Sequence, residues 1–250
     1  MKSDLSKSAR VVCLDCVDST NEQALRLARA GERGPLWVVA KEQSAGRGRR
    51  GRAWMSPIGN LYATLMLTDP APAAAAPQLA FVAALALHDA AVATAPALAS
   101  RLALKWPNDL MCAGRKIAGI LIEGEGDPVV VAVGIGVNCR RHPNATESPA
   151  TDFAAEGVEV DAATLFDHLT AAMQERLTLW SRGAGFAAIR VAWLSRALGL
   201  GQAIRVKLAD RETTGCFETI DDAGRLVLRT AKGDVEAVAA GDVFPFGRAA

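Results

Sequence analysis

Short apolar runs alternate with stretches of helical periodicity along the first 200 residues of the chain. Runs rich in Val, Ile and Leu are typical of buried strands, whereas apolar residues at helical spacing are typical of helices. The predicted strands are VVCLDCV (residues 11–17), LWVVAKEQ (36–43), NLYATLML (60–67), RLALKW, GRKIAGILIEGE and PVVVAVGIGVNC. The last of these is apolar on both faces, which predicts a strand that is covered on both sides of its sheet.

The first two predicted helices have recognisable boundaries. After the first strand, Ser19 precedes Glu22 with the spacing of a capping box, and the helix is expected to end at Gly31. The second helix begins at Pro77 and runs to about Thr94. It is apolar on nearly every face, so we expect it to lie in the centre of the core.

The later part of the chain changes pattern twice. Two amphipathic helices are predicted, one in residues 161–182 and one directly after it. After GLG at residues 199–201, short strands alternate with turns in AIRVKLA, TTGCFETI, GRLVLRT and DVEAVAAGDVFPF, which predicts a small, barrel-like β module. We therefore expect an α+β protein with a mixed central sheet packed with helices in residues 1–200, and an all-β domain in residues 201–250.

Composition and charge exclude several classes of protein. The chain has 28 Lys and Arg against 27 Asp and Glu, a net charge of +1, which argues against a nucleic-acid surface along the whole chain. The N-terminal segment MKSDLSKSAR lacks the apolar core of a signal peptide. The most apolar stretch, residues 71–95, is interrupted by prolines and polar residues, as a buried helix is and a membrane span is not. We predict a cytoplasmic protein without a membrane partner.

The five cysteines do not predict a disulfide framework or a metal site. Cys13 and Cys16 form a CxxC motif, but the motif lies in a predicted strand. No second pair of cysteines or nearby histidine completes a four-ligand site. The sequence favours reduced cysteines over a metal or redox function.

The segment AGRGRRGRAW (residues 45–54) places four arginines and three glycines in ten positions that end on Trp54. Glycines let a ligand approach the backbone, and guanidinium groups match carboxylate and phosphate oxygens. A solvated basic turn or a nucleic-acid patch is the alternative interpretation. The alternation of glycine with arginine and the flat face of Trp54, which suits stacking on a base, favour a loop that binds an oxyanion.

Three further polar clusters accompany this loop. Ser19, Thr20 and Asn21 begin the first helix, where backbone N–H groups favour a carbonyl or an anion, although such residues often serve only as a cap. KWPNDL forms a proline turn between strands, with Lys105, Asn108 and Asp109. In GRKIAGILIE, Lys116 precedes Gly119, which leaves room for a ligand, although a single lysine at a strand start is often exposed and inert. This inventory suits nucleotidyl transfer onto a carboxylate.

GRGRRGRAW, KWPNDL and GRKIAGILIEGE, in this order after an STN turn, resemble the catalytic domain of biotin protein ligases. The similarity runs from about residue 11 through GIGVNC, and the later helices and β module are similar to the C-terminal part of that family. The resemblance implies a class II synthetase-like catalytic domain and an SH3-like C-terminal barrel. It also implies two half reactions, in which ATP and Mg²⁺ activate biotin as biotinyl-5′-adenylate and a lysine of a biotin carboxyl carrier protein then accepts biotin.

The resemblance also implies roles for individual residues. Biotin would be bound by Ser19, Thr20, Asn21, Gln43, Gly46, Arg47, Gly48, Arg49, Lys116 and Gly119. ATP would be bound by Arg49, Arg52, Trp54, Asn108, Lys116 and Asn138. Arg47, Arg49, Lys116 and Asp109 would take part in the chemistry, and Asp109 would hold the metal or meet the incoming amine. Residues 140–157 fit the loop that family members fold over the adenylate.

Two alternatives remain from the sequence. A lipoate or octanoyl ligase of related fold would activate a different acid in the same way, although its pattern of Gly and Arg is expected to differ. A DNA-binding regulator is disfavoured by the near-neutral charge, and the first strand begins too early to leave room for an N-terminal helix-turn-helix. We therefore expect no nucleic-acid partner. A homodimer is possible.

Overall fold

A computed structural model describes residues 9–144, 146, 148–208 and 210–245. The first sheet has seven strands within these ranges, in the order β1-β2-β3-β7-β6-β5-β4. Only β1 and β2 pair in parallel, and the other neighbours are antiparallel. The strands are β1 (Arg10–Val17), β2 (Leu36–Gln43), β3 (Leu61–Thr68), β4 (Leu102–Lys105), β5 (Asp109–Cys112), β6 (Arg115–Glu125) and β7 (Val130–Val137).

Helices cover the two faces of this sheet unequally. On one face, Leu25 of the first helix packs with Leu36 and Val38 of β2 in a small cluster. On the other face, Trp37 meets Phe166 edge to face at 5.3 Å, within the main core. The helices are α1 (Thr20–Arg29), α2 (Leu79–Thr94), α3 (Ala162–Trp180) and α4 (Phe186–Leu194). Because α1 is short and stands alone on its face, the rest of that face remains open.

A second, antiparallel sheet follows α4, with strand order β11-β10-β9-β8-β12 in the described residues. Its strands are β8 (Ala203–Lys207), β9 (Glu212–Ile220), β10 (Leu226–Arg229), β11 (Val235–Val238) and β12 (Asp242–Pro245). Its core residues, such as Phe217, belong to the same apolar cluster as the α2 side chains. The indole N–H of Trp106 also donates to the carbonyl oxygen of Gly224 at 3.0 Å. The second sheet is therefore packed firmly onto the first unit.

The α+β prediction, with a mixed sheet followed by a small β unit, is confirmed. The SH3-like closure and the domain boundary at residues 200/201 stay predictions, and residues 1–8 and 246–250 lie outside the described residues. Strand 36–43 has the predicted bounds. Three details differ from expectation.

The first difference is that α2 begins at Leu79, because Pro77 belongs to a preceding 3-10 segment, Ala73–Gln78. The second is that β5 was not predicted, since four residues directly after a proline turn are too few to show a periodicity. The third is that DVEAVAAGDVFPF contains two strands, β11 and β12, where the pattern indicated one element.

The segment Ala73–Thr94 is the one described helical stretch whose length and apolar composition would suffice to cross a bilayer. In the apolar 18-residue window of this segment, 67% is buried inside the protein. Leu85 and Leu87, for example, are fully covered in the main core. This burial agrees with the prediction of a central core helix.

Candidate functional site

The open part of the α1 face forms the floor of a cleft of about 710 Å³. Glycines on β6 and β7 let other segments lie directly on the strands. A Cβ atom on Gly134 would be 2.2 Å from Asn21 Oδ1, and one on Gly136 would be 2.6 Å from Trp54 Nε1. A Cβ on Gly119 would be 3.1 Å from Lys116 Nζ and 3.3 Å from the same indole ring, so Lys116 and Trp54 together take the room that this glycine leaves. The cleft therefore depends on the absence of side chains at these three positions.

The N-terminus of α1 forms one end of the cleft. Ser19 caps the helix by accepting a hydrogen bond from a backbone N–H of the first turn. Thr20 donates from its backbone N–H and its hydroxyl to Gln43 Oε1, at 2.8 and 3.1 Å. The Thr64 hydroxyl lies 2.7 Å from Asn21 Oδ1. Only Ser19 acts as a cap, and the other two residues belong to a buried polar network with β2 and β3.

Residues 45–54, here called the arginine loop, form a hairpin over the cleft. The backbone N–H of Trp54 donates to Gly46 O at 2.9 Å, and that of Gly48 donates to Arg52 O at 2.7 Å. The tip of the hairpin has left-handed backbone angles. Since both ends of the loop are fixed by these bonds, its side chains have defined directions.

Three of the four arginines converge on Asp242, a residue of the second sheet. The shortest distances from their guanidinium nitrogens to its carboxylate are 2.8 Å for Arg49, 3.3 Å for Arg50 and 2.9 Å for Arg52. Arg49 also donates to Gly241 O at 2.8 Å. Burial raises the pKa of Asp242, but the arginines outweigh it and hold the pKa below its usual value. No local pattern predicts a role for Asp242, because it lies about 190 positions from the loop.

Arg47 points the other way. Its guanidinium lies 3.4 Å from a carboxylate oxygen of Glu22 and 3.2 Å from one of Glu123. The family resemblance implies that Arg47 and Arg49 both bind biotin and take part in the chemistry. In this structure they contact different carboxylates on opposite sides of the loop, so a shared ligand has to bridge them.

Lys116 lies inside the cleft and not on an exposed strand end. Its Nζ is 2.6 Å from Asp109 Oδ1 and 5.3 Å from the centre of the Trp54 ring. Asp109 Oδ1 is buried, and the Lys116 ammonium is its charged partner. This placement disfavours the interpretation of Lys116 as an inert surface lysine.

Lys105 is a second lysine of the cleft, and sequence analysis did not include it among the site residues. It is only 7% exposed, and its ammonium has no carboxylate within ion-pair distance among the described residues. Its Nζ lies 5.4 Å from the ring centre of Phe244, on the second sheet. Burial lowers the pKa of Lys105, since the charged form loses hydration there. A buried cation without an ion pair indicates a site for an anion.

Two asparagines expected to contact ATP also hold the backbone. Asn108 Nδ2 donates to Ile120 O at 2.6 Å, and Asn138 Nδ2 donates to Thr151 O at 3.0 Å. Both residues are buried and line the cleft. Their first function is therefore to fix the walls of the cleft.

The expected closing loop, residues 140–157, contributes to the wall opposite α1. Pro143, Thr146, Ser148 and Ala150 line the cleft. Ala145 and Glu147, which fall within this expectation, lie outside the described residues. A parallel bridge between Lys116 and Ala150 joins the loop to the start of β6.

The charge of the cleft is unbalanced. Its lining includes five cationic side chains and two carboxylates. The cations are Arg47, Arg49, Arg52, Lys105 and Lys116, and the carboxylates are Asp109 and Asp242. The described residues contain no cluster of three His, Cys, Asp or Glu that could hold a metal, and Cys13 and Cys16 are exposed on the edge strand β1. The arrangement suits a ligand that carries several negative charges.

Comparisons with family models and with known proteins agree on one family. The model of the biotin/lipoate A/B protein ligase family matches residues 13–139, and that of the biotin protein ligase C terminal domain matches residues 199–244. A biotin--[acetyl-CoA-carboxylase] ligase of Paracoccus denitrificans is 47% identical over 91% of this chain and 97% of its own length. A bifunctional ligase/repressor of Bacillus subtilis is 34% identical over 88% of this chain and 69% of its own length.

Solved structures agree with this result. A biotin protein ligase from Aquifex aeolicus, in complex with biotin and ATP, superposes with a TM-score of 0.79. It is 26% identical, and the match covers 94% of this chain and 97% of that one. A biotin protein ligase from Leishmania major, in complex with biotinyl-5-AMP, gives a TM-score of 0.65 at 27% identity, over 92% of this chain and 99% of that one.

The glycine floor predicts unequal effects of two matched substitutions. Gly134→Ala should lower the free energy of unfolding by about 1–3 kcal/mol, because its Cβ collides with Asn21 and displaces the start of α1. Gly124→Ala, on the neighbouring β6, is the control, since its Cβ would meet only ordinary contacts at 3.5 Å or more. Urea unfolding of both variants measures the difference. Equal stabilities would contradict the close packing of α1 on β7.

Proposed function

The chain belongs to the biotin/lipoate A/B protein ligase family, and we propose that it is an ATP-dependent biotin protein ligase. The carboxylate of biotin attacks the α-phosphate of ATP, which forms biotinyl-5′-adenylate and releases pyrophosphate. The amino group of a carrier lysine then attacks the acyl carbon of this anhydride, which releases AMP and leaves biotin in an amide bond. The observation that carries the proposal is the 47% identity, over 97% of its length, to a protein named for this ligation.

The chemistry explains why the cleft is cationic. An amine cannot expel oxide from a carboxylate, so the acid is first converted into an anhydride with a good leaving group. Both reactants of the first step are anions, and they approach only if their charge is balanced and their atoms are aligned. The excess of cations over carboxylates in the cleft supplies that balance.

The end of the cleft at α1 suits the ureido ring of biotin. The ring has one carbonyl that accepts hydrogen bonds and two N–H groups that donate them, so its site needs both kinds of partner. Hydroxyl and carboxamide groups of Ser19, Thr20, Asn21 and Gln43 provide them. Gly46, Gly48 and Gly119 keep the backbone accessible beside the ligand, and Arg47 binds the carboxylate end.

The opposite end of the cleft takes the nucleotide. Arg49, Arg52 and Lys105 surround the position where phosphates would lie. Asp242 holds the two arginines in this structure, so its carboxylate competes with the phosphates for them. Trp54 offers its ring to the base. Asn108 and Asn138 line the nucleotide end of the cleft.

Lys116 and Asp109 lie between the two ends. The Lys116 ammonium stabilises the negative charge that develops as the carboxylate attacks phosphorus, and the ion pair with Asp109 orients it. Asp109 is a carboxylate that lines the cleft beside Lys116, and Mg²⁺ usually binds through one or two carboxylates together with substrate phosphates and water, so Asp109 would hold it. Bound there, Mg²⁺ would neutralise phosphate charge.

The acceptor is a lysine of a biotin carboxyl carrier protein or domain, the class implied by the name of the Paracoccus relative. A cytoplasmic location, a possible homodimer and the lack of a nucleic-acid or membrane partner remain predictions from the sequence. The family name also includes lipoate ligases. Biotin is favoured because residues 199–244 match the C-terminal domain of biotin protein ligases.

The choice of acid substrate is tested by pyrophosphate release. The purified protein with ATP and Mg²⁺ should release pyrophosphate when biotin is added, and omission of the divalent cation should abolish this release. Lipoate and octanoate should give no comparable release, because neither has a ureido ring for the polar groups at α1. Turnover with lipoate or octanoate but none with biotin would reject the proposed substrate.

Lys116→Ala should slow formation of the adenylate by roughly 10²-fold or more, because a cation that stabilises the transition state is lost. The fold should be retained. Lys41→Ala is the matched control, since Lys41 is an exposed lysine of β2 paired with Asp15. Single-turnover measurement of adenylate formation compares the two variants, and equal rates would show that Lys116 is not catalytic.

Arg49→Gly should impair retention of the adenylate more than its synthesis. The substitution removes charge-assisted hydrogen bonds worth about 1.5–3 kcal/mol each and loosens the arginine loop that shields the anhydride from water. The variant should release biotinyl-adenylate sooner and label exposed lysines of bystander proteins.

Arg50→Gly is the control for Arg49→Gly. It retains Arg49, and Arg50 already has a φ of 56°, which glycine adopts without strain. The dissociation rate of the adenylate and the labelling of an added bystander protein are measured together. An Arg49→Gly protein that holds its adenylate as long as the parent would show that the loop does not retain it.

A further inference from the structure

Glu156 is the most completely buried carboxylate with an ion pair among the described residues, and the proposed reaction does not use it. Its side chain is 1% exposed and is bound by both Arg101 and Arg115. Its Oε1 also accepts a hydrogen bond from the Thr151 hydroxyl at 2.6 Å. A buried carboxylate costs free energy unless it is fully paired, so this arrangement fixes Thr151 in one position.

Thr151 connects this ion pair to two residues of the cleft. Its backbone N–H donates to Lys116 O at 2.9 Å, and its carbonyl oxygen accepts from Asn138 Nδ2 at 3.0 Å. On the other side, the N–H of Lys116 donates to Pro149 O at 2.7 Å. The segment around Thr151 therefore holds the backbone of Lys116 and the carboxamide of Asn138 at the same time.

The bond from Asn138 to Thr151 also decides which way the Asn138 carboxamide faces. A carbonyl oxygen only accepts, so the NH₂ group of Asn138 has to point toward Thr151. Asn138 Oδ1 accepts no hydrogen bond from the described side chains, and Asn138 lines the cleft. Asn138 therefore presents a hydrogen-bond acceptor, its Oδ1 atom, to the cleft.

We propose that Glu156 and Thr151 are positioning residues that select the base of the nucleotide. By fixing Thr151, Glu156 keeps Asn138 Oδ1 toward the cleft, where it accepts from the exocyclic amino group of adenine. Guanine has a carbonyl oxygen where adenine has this amino group. That oxygen and Asn138 Oδ1 would then face each other as two hydrogen-bond acceptors without a proton between them. This inference rests on the proposed ligase activity and adds to it a source of preference for ATP over GTP.

Thr151→Val tests the connection, because it removes the hydroxyl but nearly keeps the shape of the side chain. The backbone carbonyl of residue 151 remains, but Glu156 no longer holds it in place through the hydroxyl, so the hydrogen bond that orients the Asn138 carboxamide is weakened. We expect the KM for ATP to rise about fivefold, as for the loss of one hydrogen bond. The preference for ATP over GTP in pyrophosphate release should fall by a similar factor, and the KM for biotin should stay within about twofold because its site lies at α1.

Three further variants separate positioning from general destabilisation. Thr151→Ser keeps the hydroxyl and should restore the values of the parent protein. Glu156→Gln should act like Thr151→Val, since its NH₂ group would face the arginines and disturb the contact with Thr151. Asp89→Asn is the control, because Asp89 also binds two arginines, Arg176 and Arg196, but lies outside the cleft. It should lower Tm without a change in either KM or in base preference.

The outcomes distinguish this inference from the proposed function. A parent protein that releases no pyrophosphate with biotin and ATP would contradict the function itself. If the parent is active, an unchanged ratio of ATP to GTP use in the Thr151→Val and Glu156→Gln variants would overturn the positioning role. If one variant does not fold, the other decides the question. A fall in Tm and kcat with both KM values unchanged would also overturn it, because it would indicate a merely structural ion pair.

Discussion

The unbalanced charge of the cleft is the constraint on which the rest of the site depends. Cations that lose water must be paired, or they raise the free energy of the folded state. Here Arg47 is held by Glu22 and Glu123, and Lys116 is held by Asp109. Among the described residues Lys105 has no carboxylate within ion-pair distance, and burial lowers its pKa. A negatively charged ligand would balance the excess positive charge of the cleft. An adenylate with its pyrophosphate carries negative charge of this kind.

Asp242 gives the second sheet a direct part in this balance. Its carboxylate, on β12, holds three arginines of the arginine loop, which lies over the first sheet. Phe244, from the same strand, covers Lys105. The C-terminal unit is therefore a wall of the cleft, which explains why its core is continuous with that of the first unit. A change in the packing of the two sheets would therefore move charges that line the cleft.

Local patterns in the sequence were sufficient for much of this structure. Neighbouring residues encode the capping residue Ser19, the strand 36–43 and the buried helix after Pro77. The sequence motifs also indicated that Lys116 and the arginine loop belong to one site, and both line the same cleft. Asp242 and Glu156 were not predicted, because they act across long separations in the sequence and are ordinary acidic residues until folding places arginines around them. Lys105 was noted as part of KWPNDL, but only its burial in the folded protein indicates a role for it. Ion pairs between residues far apart in the sequence leave no periodic pattern from which they could be predicted.

Affinity for matched ligands tests the electrostatic account most directly. Two inert analogues would join biotin to adenosine, one through an anionic linker in place of the phosphate and one through a neutral linker of the same length. Calorimetric titration at low and high salt would compare them. The account predicts that the anionic analogue binds at least about tenfold more tightly, as one charge-assisted hydrogen bond requires, and that the difference narrows as salt is added. Equal affinities at low salt would contradict the claim that the excess positive charge of the cleft selects an anionic ligand.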